Sequence, residues 1–386
     1  MKDNILKNRK FNDGDLIIVC FASVFLHYVI TALVIFALGL YLIFNKKTRE
    51  IAFCEKYTYL IVAFSIYTAI TGLINGNFIG VACSVACFLM FTISFYFKQV
   101  VSIKQFEAGL NICVICGFIV SVLTFFDYII FANHLAIGTM YRATLYFFNS
   151  NYLGCILAMT VVIAAYKAIT IKNNRIFYFI AAMFCMAAVY LTGSLFAIIE
   201  IFIGVATILF FTRRHQMLSV LLLIAATGLI VLYCAPDILP RLSEVNITTE
   251  NRVIIWEISF KALKQNFIFG RGFLTYFHVF KNFANAYPTT HAHNIVLEPL
   301  LSFGIIGTGI IFAFFFIYYK KVFICKNYQS KSLLSALILS VSAAAIIHGI
   351  TDMTLLWIQT GFLFLLLLSG IGYEERILQL QTVKEI

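Results

Sequence analysis

Residues Pro236–Asn294, PDILPRLSEVNITTENRVIIWEISFKALKQNFIFGRGFLTYFHVFKNFANAYPTTHAHN, form the one long stretch of a 386-residue chain that does not read as membrane. The stretch carries Arg241, Arg252, Arg271 and His278 and ends on His291-Ala292-His293-Asn294. On either side the sequence is apolar: 62% of all residues are hydrophobic, 12% are charged, and the mean hydropathy is +0.96. Soluble domains carry about 25% charged residues, so the chain reads as an integral membrane protein. Its basic and titratable groups gather in one extramembrane loop, and chemistry is expected there rather than conduction through the core.

Working outward, a spanning helix takes about 20 apolar residues. Such runs lie near 58–75, 77–97, 108–131, 151–170, 176–192, 194–211, 217–234, 295–319, 332–350 and 355–373. The run Leu16–Phe44 is long for one span and short for two. Both its flanks are basic (Lys7, Arg9, Lys10; Lys46, Lys47, Arg49), which puts both in the cytoplasm and predicts a tight hairpin turning near His27. The remaining basic turns, at Lys98/Lys104, Lys172/Arg175, Arg213/Arg214 and Lys320/Lys321/Lys326, then share that side.

The expected fold is an all-α polytopic membrane protein of about twelve transmembrane helices. Residues 1–386 form a single transmembrane domain with both termini cytoplasmic, and 235–292 form an extracytoplasmic loop between spans 9 and 10. No cleavable signal is expected, because the basic start runs into apolar sequence without a small-residue cleavage site. The net charge of +11 is dispersed among short loops, so nucleic acid is not expected as a partner. The lipid bilayer is.

Two external segments break the positive-inside pattern with arginine: Asn133–Asn151, with Arg142, and the long loop. Arg142 and Arg252 are the better candidate clamps for an anion such as a lipid phosphate, because a guanidinium fork binds phosphate oxygens bidentately. Arg241 and Arg271 have turn-like neighbours (Pro240; Gly270 and Gly272) and are weaker candidates. Asn251–Lys264 reads as an amphipathic helix at the interface with Thr249 as its N-cap.

Two histidines at i, i+2 do not share a helix face, no HExxH pattern occurs, and Glu298 is the only nearby carboxylate, so no metal site is expected. A neutral imidazole suits a general base instead. Thr192-Gly193-Ser194 reads as a tight turn between two spans. Among ionisable residues in or near spans, Glu200 lies in the span after that turn, Asp127 lies near an outer end, and His348, one turn from Asp352, reads either as its hydrogen-bonded partner near the outer surface or as part of the site with it. The ten cysteines, Cys113-x-x-Cys116 and Cys83-x3-Cys87 included, read as packing. Asp13-Gly14-Asp15 matches the DxD of metal-dependent sugar transferases but falls on the cytoplasmic tail, away from the other candidates.

His293-Asn294, nine residues, then Gly304-Ile305-Ile306-Gly307 resembles the HN-x9-GxxG signature of O-antigen ligases and O-antigen polymerases. Four further elements resemble that family in the same order: Arg142 ahead of Asn149-Ser150-Asn151-Tyr152-Leu153-Gly154, Leu191-Thr192-Gly193-Ser194, Arg252-x3-Trp256, and Gly270-Arg271-Gly272-Phe273. The resemblance covers roughly residues 140–310. It departs from the family at Leu195, where arginine is common, and at Ser150, where proline is common.

The resemblance implies a GT-C-like membrane fold whose large external loop carries short amphipathic helices, and a metal-independent, inverting glycosyltransferase without a cofactor. The donor would be a polyprenyl-diphosphate-linked glycan and the acceptor a glycan or lipid-linked sugar, on the outer face of the plasma membrane. Envelope polysaccharide assembly proteins would be its partners. In that scheme His293 is the catalytic base, Arg142 and Arg252 hold the diphosphate, and Asn294, His291, Arg271 and Arg241 support them. A surface polysaccharide (O-antigen or capsule) polymerase is preferred to a ligase, because the external loop is of modest size and nothing in the chain demands a lipid A core acceptor. A transporter or flippase of lipid-linked sugars is the alternative from another class. It should concentrate charge at mid-membrane and show two similar halves.

Overall fold

The computed structural model describes residues 13–132, 141–171, 173–239, 245–328 and 333–384. Among these no strand forms. The helices, in order, are α1 (Leu16–Ser23), α2 (Tyr28–Phe44), α3 (Lys46–Ala52), α4 (Tyr59–Ile74), α5 (Phe78–Val100), α6 (Ile103–Ala132), α7 (Ser150–Thr170), α8 (Arg175–Thr192), α9 (Leu195–Phe211), α10 (His215–Cys234), α11 (Val245–Gln265), α12 (Thr275–Val279), α13 (Leu297–Tyr328), α14 (Leu334–Gly349), α15 (Ile358–Leu368) and α16 (Ile371–Lys384).

Every apolar run read from the sequence holds a helix. The first one turns at Val24–His27 between α1 and α2, where a hairpin was expected. Among the described residues, seven helices are long and apolar enough to cross a bilayer, or eight if α2 and α3, bent by 101°, make one broken span. The protein is therefore an all-α membrane protein, and helices of full spanning length account for seven or eight of the twelve expected spans among the described residues. With 8 and 11 residues, α1 and α15 reach only about 12 and about 16 Å at 1.5 Å per residue, against a hydrocarbon core of about 30 Å. The central helix is α7, buried along most of its length, whereas α10 has no buried residue.

The inter-helix connections sort into two ends. At one end, Gln359 Nε2 donates to Val24 O (3.1 Å) and Leu26 O (2.6 Å). At the same end Tyr146 Oη donates to Phe25 O, Arg142 Nε to Thr192 O (2.9 Å), Asn77 Nδ2 to Phe273 O (2.8 Å), and Tyr190 Oη to Ile238 O (2.9 Å). At the other end, Glu55 pairs with Lys321 and with Lys98 (2.5 Å), and Lys98 also meets Glu375 (2.7 Å). Asp13-Gly14-Asp15 belongs to this second end, where Asp13 accepts from Tyr96 Oη (2.9 Å) and Asp15 from Gln105 Nε2 (2.9 Å).

The glycines of the two sequence motifs lock the long loop to the bundle. Gly304, at φ 62° and ψ −172°, breaks α13. That break frees the N–H groups of Ile305 and Ile306 to donate to Phe267 O (3.0 Å) and Ile268 O (3.3 Å), while Ser302 O accepts from Arg271 N (3.1 Å) and Gly272 N (2.8 Å). Backbone passes so close to backbone that a Cβ on Gly304 would lie 2.4 Å from Ile268 O, and one on Gly270 2.4 Å from Ser302 O. Phe273 then packs edge-on against Phe64 and Phe303, with centroids 6.0 and 4.6 Å away.

The amphipathic helix extends further than the sequence suggested. It begins by Val245, so Thr249 lies inside α11 and is not its N-cap. Ile255, Ile258, Ala262 and Leu263 form its buried stripe, at the i, i+3, i+7 spacing of a helix with one covered face.

We expect Gly304→Ala to lower stability by about 3 kcal/mol, because only glycine tolerates that backbone region and the new methyl has no room. Gly309→Ala, five residues on in the same helix with nothing within 4 Å of its Cβ position, should leave the melting temperature unchanged or raise it. Thermal unfolding of the two detergent-solubilised variants checks both.

Candidate active site

The histidine run sits on irregular backbone clamped between two helix ends. Asn294 Oδ1 accepts from Val296 N and Leu297 N (both 2.9 Å), capping the start of α13, and its Nδ2 donates to Ile350 O (3.1 Å). Ile295 N donates to Gly349 O (2.6 Å), which binds the run to the end of α14. Glu298, buried in the first turn of α13, accepts from Ala292 N (2.7 Å) and Ser302 Oγ (2.7 Å). Glu298 and Asn294 thus hold the loop that carries the histidines. Glu298 is not a metal ligand beside them.

The two rings are not on a helix, so the argument that i, i+2 positions cannot meet does not apply. His293 takes φ 49°, and the ring centroids lie 4.2 Å apart. Both imidazoles face one carboxylate: Asp352 Oδ1 is 3.1 Å from His293 Nδ1 and 3.4 Å from His291 Nε2. The contact lacks the alignment of a hydrogen bond, since Oδ1 has no hydrogen-bond partner of good geometry. Burial by itself would raise the Asp352 carboxyl. The adjoining His293, His291 and His348 outweigh that and hold it well below the usual carboxylate range. Desolvation, with the His293 charge next to it, pushes His291 down to about 4. His291 is therefore neutral, consistent with its Nδ1 accepting the His293 N–H at 3.1 Å.

Asp352 is also held from behind. Asn151 Nδ2 donates to Asp352 Oδ2 (2.6 Å), and Asn151 Oδ1 accepts from Arg142 (2.7 Å). Arg142 Nε is fixed by Thr192 O, the last residue of α8, where Gly193 at φ 61° ends the helix. Asn149 caps α7 through Asn151 N (2.8 Å) and puts Ser150 at the first helical position, where proline also fits. The departure at Ser150 therefore leaves the turn intact. Two loops far apart in sequence converge, and a line runs from Arg142 through Asn151 and Asp352 to His293.

His293 Nε2, the atom away from Asp352, faces Thr289 Oγ1 at 2.8 Å. These groups line a cavity of about 770 Å³, whose wall includes Arg142, Arg252, Trp256, Thr289, His293 and Asp352. Leu195 lines it too, so the position that carries arginine in the resembling family is apolar here. Arg252 projects from α11 with its guanidinium 5.9 Å from the Phe196 ring.

Other sequence candidates lie elsewhere. Arg271 donates to Gln265 Oε1 (3.1 Å) and its backbone serves the Gly304 lock, so it is absent from the cavity wall. Arg241 lies outside the described residues. Asp127 accepts from Tyr141 Oη (2.9 Å). The expected pairing of His348 with Asp352 is corrected: His348 Nδ1 meets Glu200 Oε2 at 2.6 Å, because the side chain turns across the α9–α14 contact instead of along its own helix. Sequence reasoning noted Asp352 without its partners and missed Asn151 as their link; no local spacing reports either. His291, His293 and Asp352 offer atoms close enough for a cation, yet with His291 Nδ1 accepting the His293 N–H the neutral ring carries its proton on Nε2, the nitrogen that faces Asp352, and we assign no metal.

Fold and site define a multi-pass α-helical membrane protein with a histidine–carboxylate pair and two arginines around one large cavity. Residues 138–312 match the family model described as O-Antigen ligase, and over that stretch the chain is similar to O-antigen ligases. The match takes in the histidine run, Arg142, Arg252 and the glycine lock. No curated protein matches the chain.

The neutral burial of His291 makes stability depend on pH. Its folded value is depressed from 6.5 to about 4, so the unfolded chain binds the proton more readily between those values. Stability should fall as pH drops through that window, by a few kcal/mol at most. Melting curves in detergent from about pH 7 to about pH 4 should show a steep decline for the wild type and a shallower one for His291→Gln.

Proposed function

We propose that the protein is a metal-independent, inverting glycosyltransferase that moves glycan from a polyprenyl-diphosphate donor to a sugar hydroxyl on the outer face of the plasma membrane. About twelve spanning segments and cytoplasmic termini belong to this reading. The observation that carries it is His293, held on a buried carboxylate by Nδ1 with Nε2 turned to a hydroxyl at the wall of a cavity that two arginines share.

The acceptor oxygen attacks the anomeric carbon of the donor as its proton passes to His293 Nε2. The bond from the anomeric carbon to the phosphate oxygen breaks, and the electron pair leaves with the diphosphate. Asp352 stabilises the imidazolium that forms. Arg142 and Arg252 stabilise charge growing on the leaving group, the kind of preorganised contact whose loss costs about 100-fold or more. Arg142 has a second duty, because two of its nitrogens already hold Thr192 O and Asn151. The polymerase reading is kept over the ligase reading for the modest size of the external loop. Lipid-linked acceptors and envelope assembly proteins are its partners.

Two measurements test this. In a deletion strain complemented with His293→Ala, surface glycan should be absent while the protein still reaches the membrane, a rate loss of about 100-fold or more. Single repeats on the acceptor indicate a polymerase, whereas long chains stranded on polyprenol indicate a ligase. Full glycan synthesis would remove His293 as the base. Asp352→Asn should cut transfer by a similar factor, and a chelator should leave wild-type transfer in membranes unchanged. Loss of transfer on chelation would reject metal independence.

A further inference from the structure

A second imidazole stands on the wall of the same cavity. His348, on the last turn of α14, is 1% exposed and lines the cavity. Its Nδ1 lies 2.6 Å from Glu200 Oε2, and Glu200, 0% exposed on α9, is approached at Oε1 by Cys155 Sγ of α7 (3.6 Å). With Glu200 ionised, its oxygen can only accept, and His348 Nδ1 is then the donor of this contact. That leaves Nε2 for the cavity side, and no hydrogen bond to it is found among the described residues.

Two neighbouring atoms share this condition. Thr351 Oγ1 and Trp256 Nε1 are buried without a hydrogen-bond partner, and both residues line the cavity. Buried polar groups in folded proteins are almost always satisfied, so Thr351 Oγ1 and Trp256 Nε1 require water or a ligand oxygen. An indole N–H can only donate. It stands one turn after Arg252, on the same face of α11, which favours an anionic oxygen over a neutral hydroxyl. A buried histidine–glutamate pair is also what two packed helices use to satisfy each other. That role alone does not account for an outward imidazole nitrogen and two orphaned polar atoms around one cavity.

We propose that His348, backed by Glu200, is a third cationic contact for the donor diphosphate, with Trp256 Nε1 and Thr351 Oγ1 donating beside it. The proposal rests on the diphosphate reading of Arg142 and Arg252. The charge is reasonable in so buried a place because imidazolium and Glu200 carboxylate are neutral as a pair. The other groups facing His348 are Cys155 and Thr354 near Glu200, and Asp352 with its two histidines on the following loop. Elements α13 and α16 meet α14 farther along, through Tyr319 at Ser342 and Glu374 at Ser335.

The test is binding of inorganic pyrophosphate to the purified full-length protein in detergent without divalent cations, followed by calorimetry between about pH 6 and about pH 8. His348→Gln keeps a donor to Glu200 but cannot become cationic. It should bind about tenfold more weakly than wild type at the acid end and lose the part of the pH dependence that wild type shows beyond the ligand's own titration. Glu200→Gln removes the counter-charge and should move that part to lower pH, while the melting temperatures of both variants stay near wild type. Wild-type affinity and pH profile in His348→Gln would overturn the inference, and with Arg252→Ala still weakening binding it would leave the diphosphate reading standing. No binding by wild type would remove the diphosphate reading itself. Displacement of pyrophosphate by phosphatidylglycerol micelles would reassign the contact to a lipid headgroup.

Discussion

A carboxylate inside an apolar bundle is tolerable only if its surroundings neutralise it, and Asp352 is where this structure meets that constraint. Desolvating a charge costs several kcal/mol unless partners and hydrogen bonds compensate. Here compensation arrives from two directions. Asn151, itself gripped by Arg142, donates to one oxygen, and His293 and His291 face the other. Each partner lies on a different segment: the stretch before α7, the start of α7, and the loop before α13. Satisfying one charge therefore fixes the start of α7 and the loop before α13 against a carboxylate 201 residues beyond Asn151, and these groups line the cavity.

The glycine lock holds the same loop from its other end. A helix that ran unbroken through Gly304 would have no N–H groups to offer Phe267 and Ile268, and those carbonyls would be left without partners where the loop packs on the bundle. Irregular backbone is tolerated there only when it is buried and satisfied by protein. The GxxG half of the motif is thus a packing device: Gly304 admits a crossing backbone, and Gly307 leaves room for the Tyr67 ring, which would lie 2.6 Å from a Cβ there. Of the motif's two halves, only the histidine reaches the cavity. Asn294 caps a helix.

The sequence made the helices legible because bilayer hydrophobicity is a local signal; each apolar run became a helix within a few residues. Their number as spans was less legible, since an apolar run such as Leu16–Phe44 does not report where its turn falls or how short the first arm will be. The candidate site divided in the same way. His293 was singled out by spacing and Arg142 and Arg252 by the expected topology, and the three residues line one cavity. Arg271 looked similar but its neighbours are glycines that serve packing. Asp352 and His348 were paired by sequence distance, whereas the fold gives each a partner more than fifty residues away, on another segment. Tertiary hydrogen bonds between buried polar groups leave no periodic trace.

Two imidazoles, each backed by a buried carboxylate, now line one cavity, and their surroundings differ in a way that bears on their roles. The ring of His293 is about one-fifth exposed at the edge of a loop and meets a hydroxyl at Nε2, the arrangement a base requires. His348 is enclosed by three helices and meets its glutamate at 2.6 Å, an arrangement that favours holding a proton. On the proposed reading the reaction moves negative charge from the acceptor side to the diphosphate side. A site that takes a proton at one wall and presents a fixed one at the other would stabilise both ends of that movement. On that reading Glu200, behind His348 and off the cavity wall, adds little repulsion toward the leaving group, while Asp352, which does reach the wall, is held by Asn151 and the two histidines.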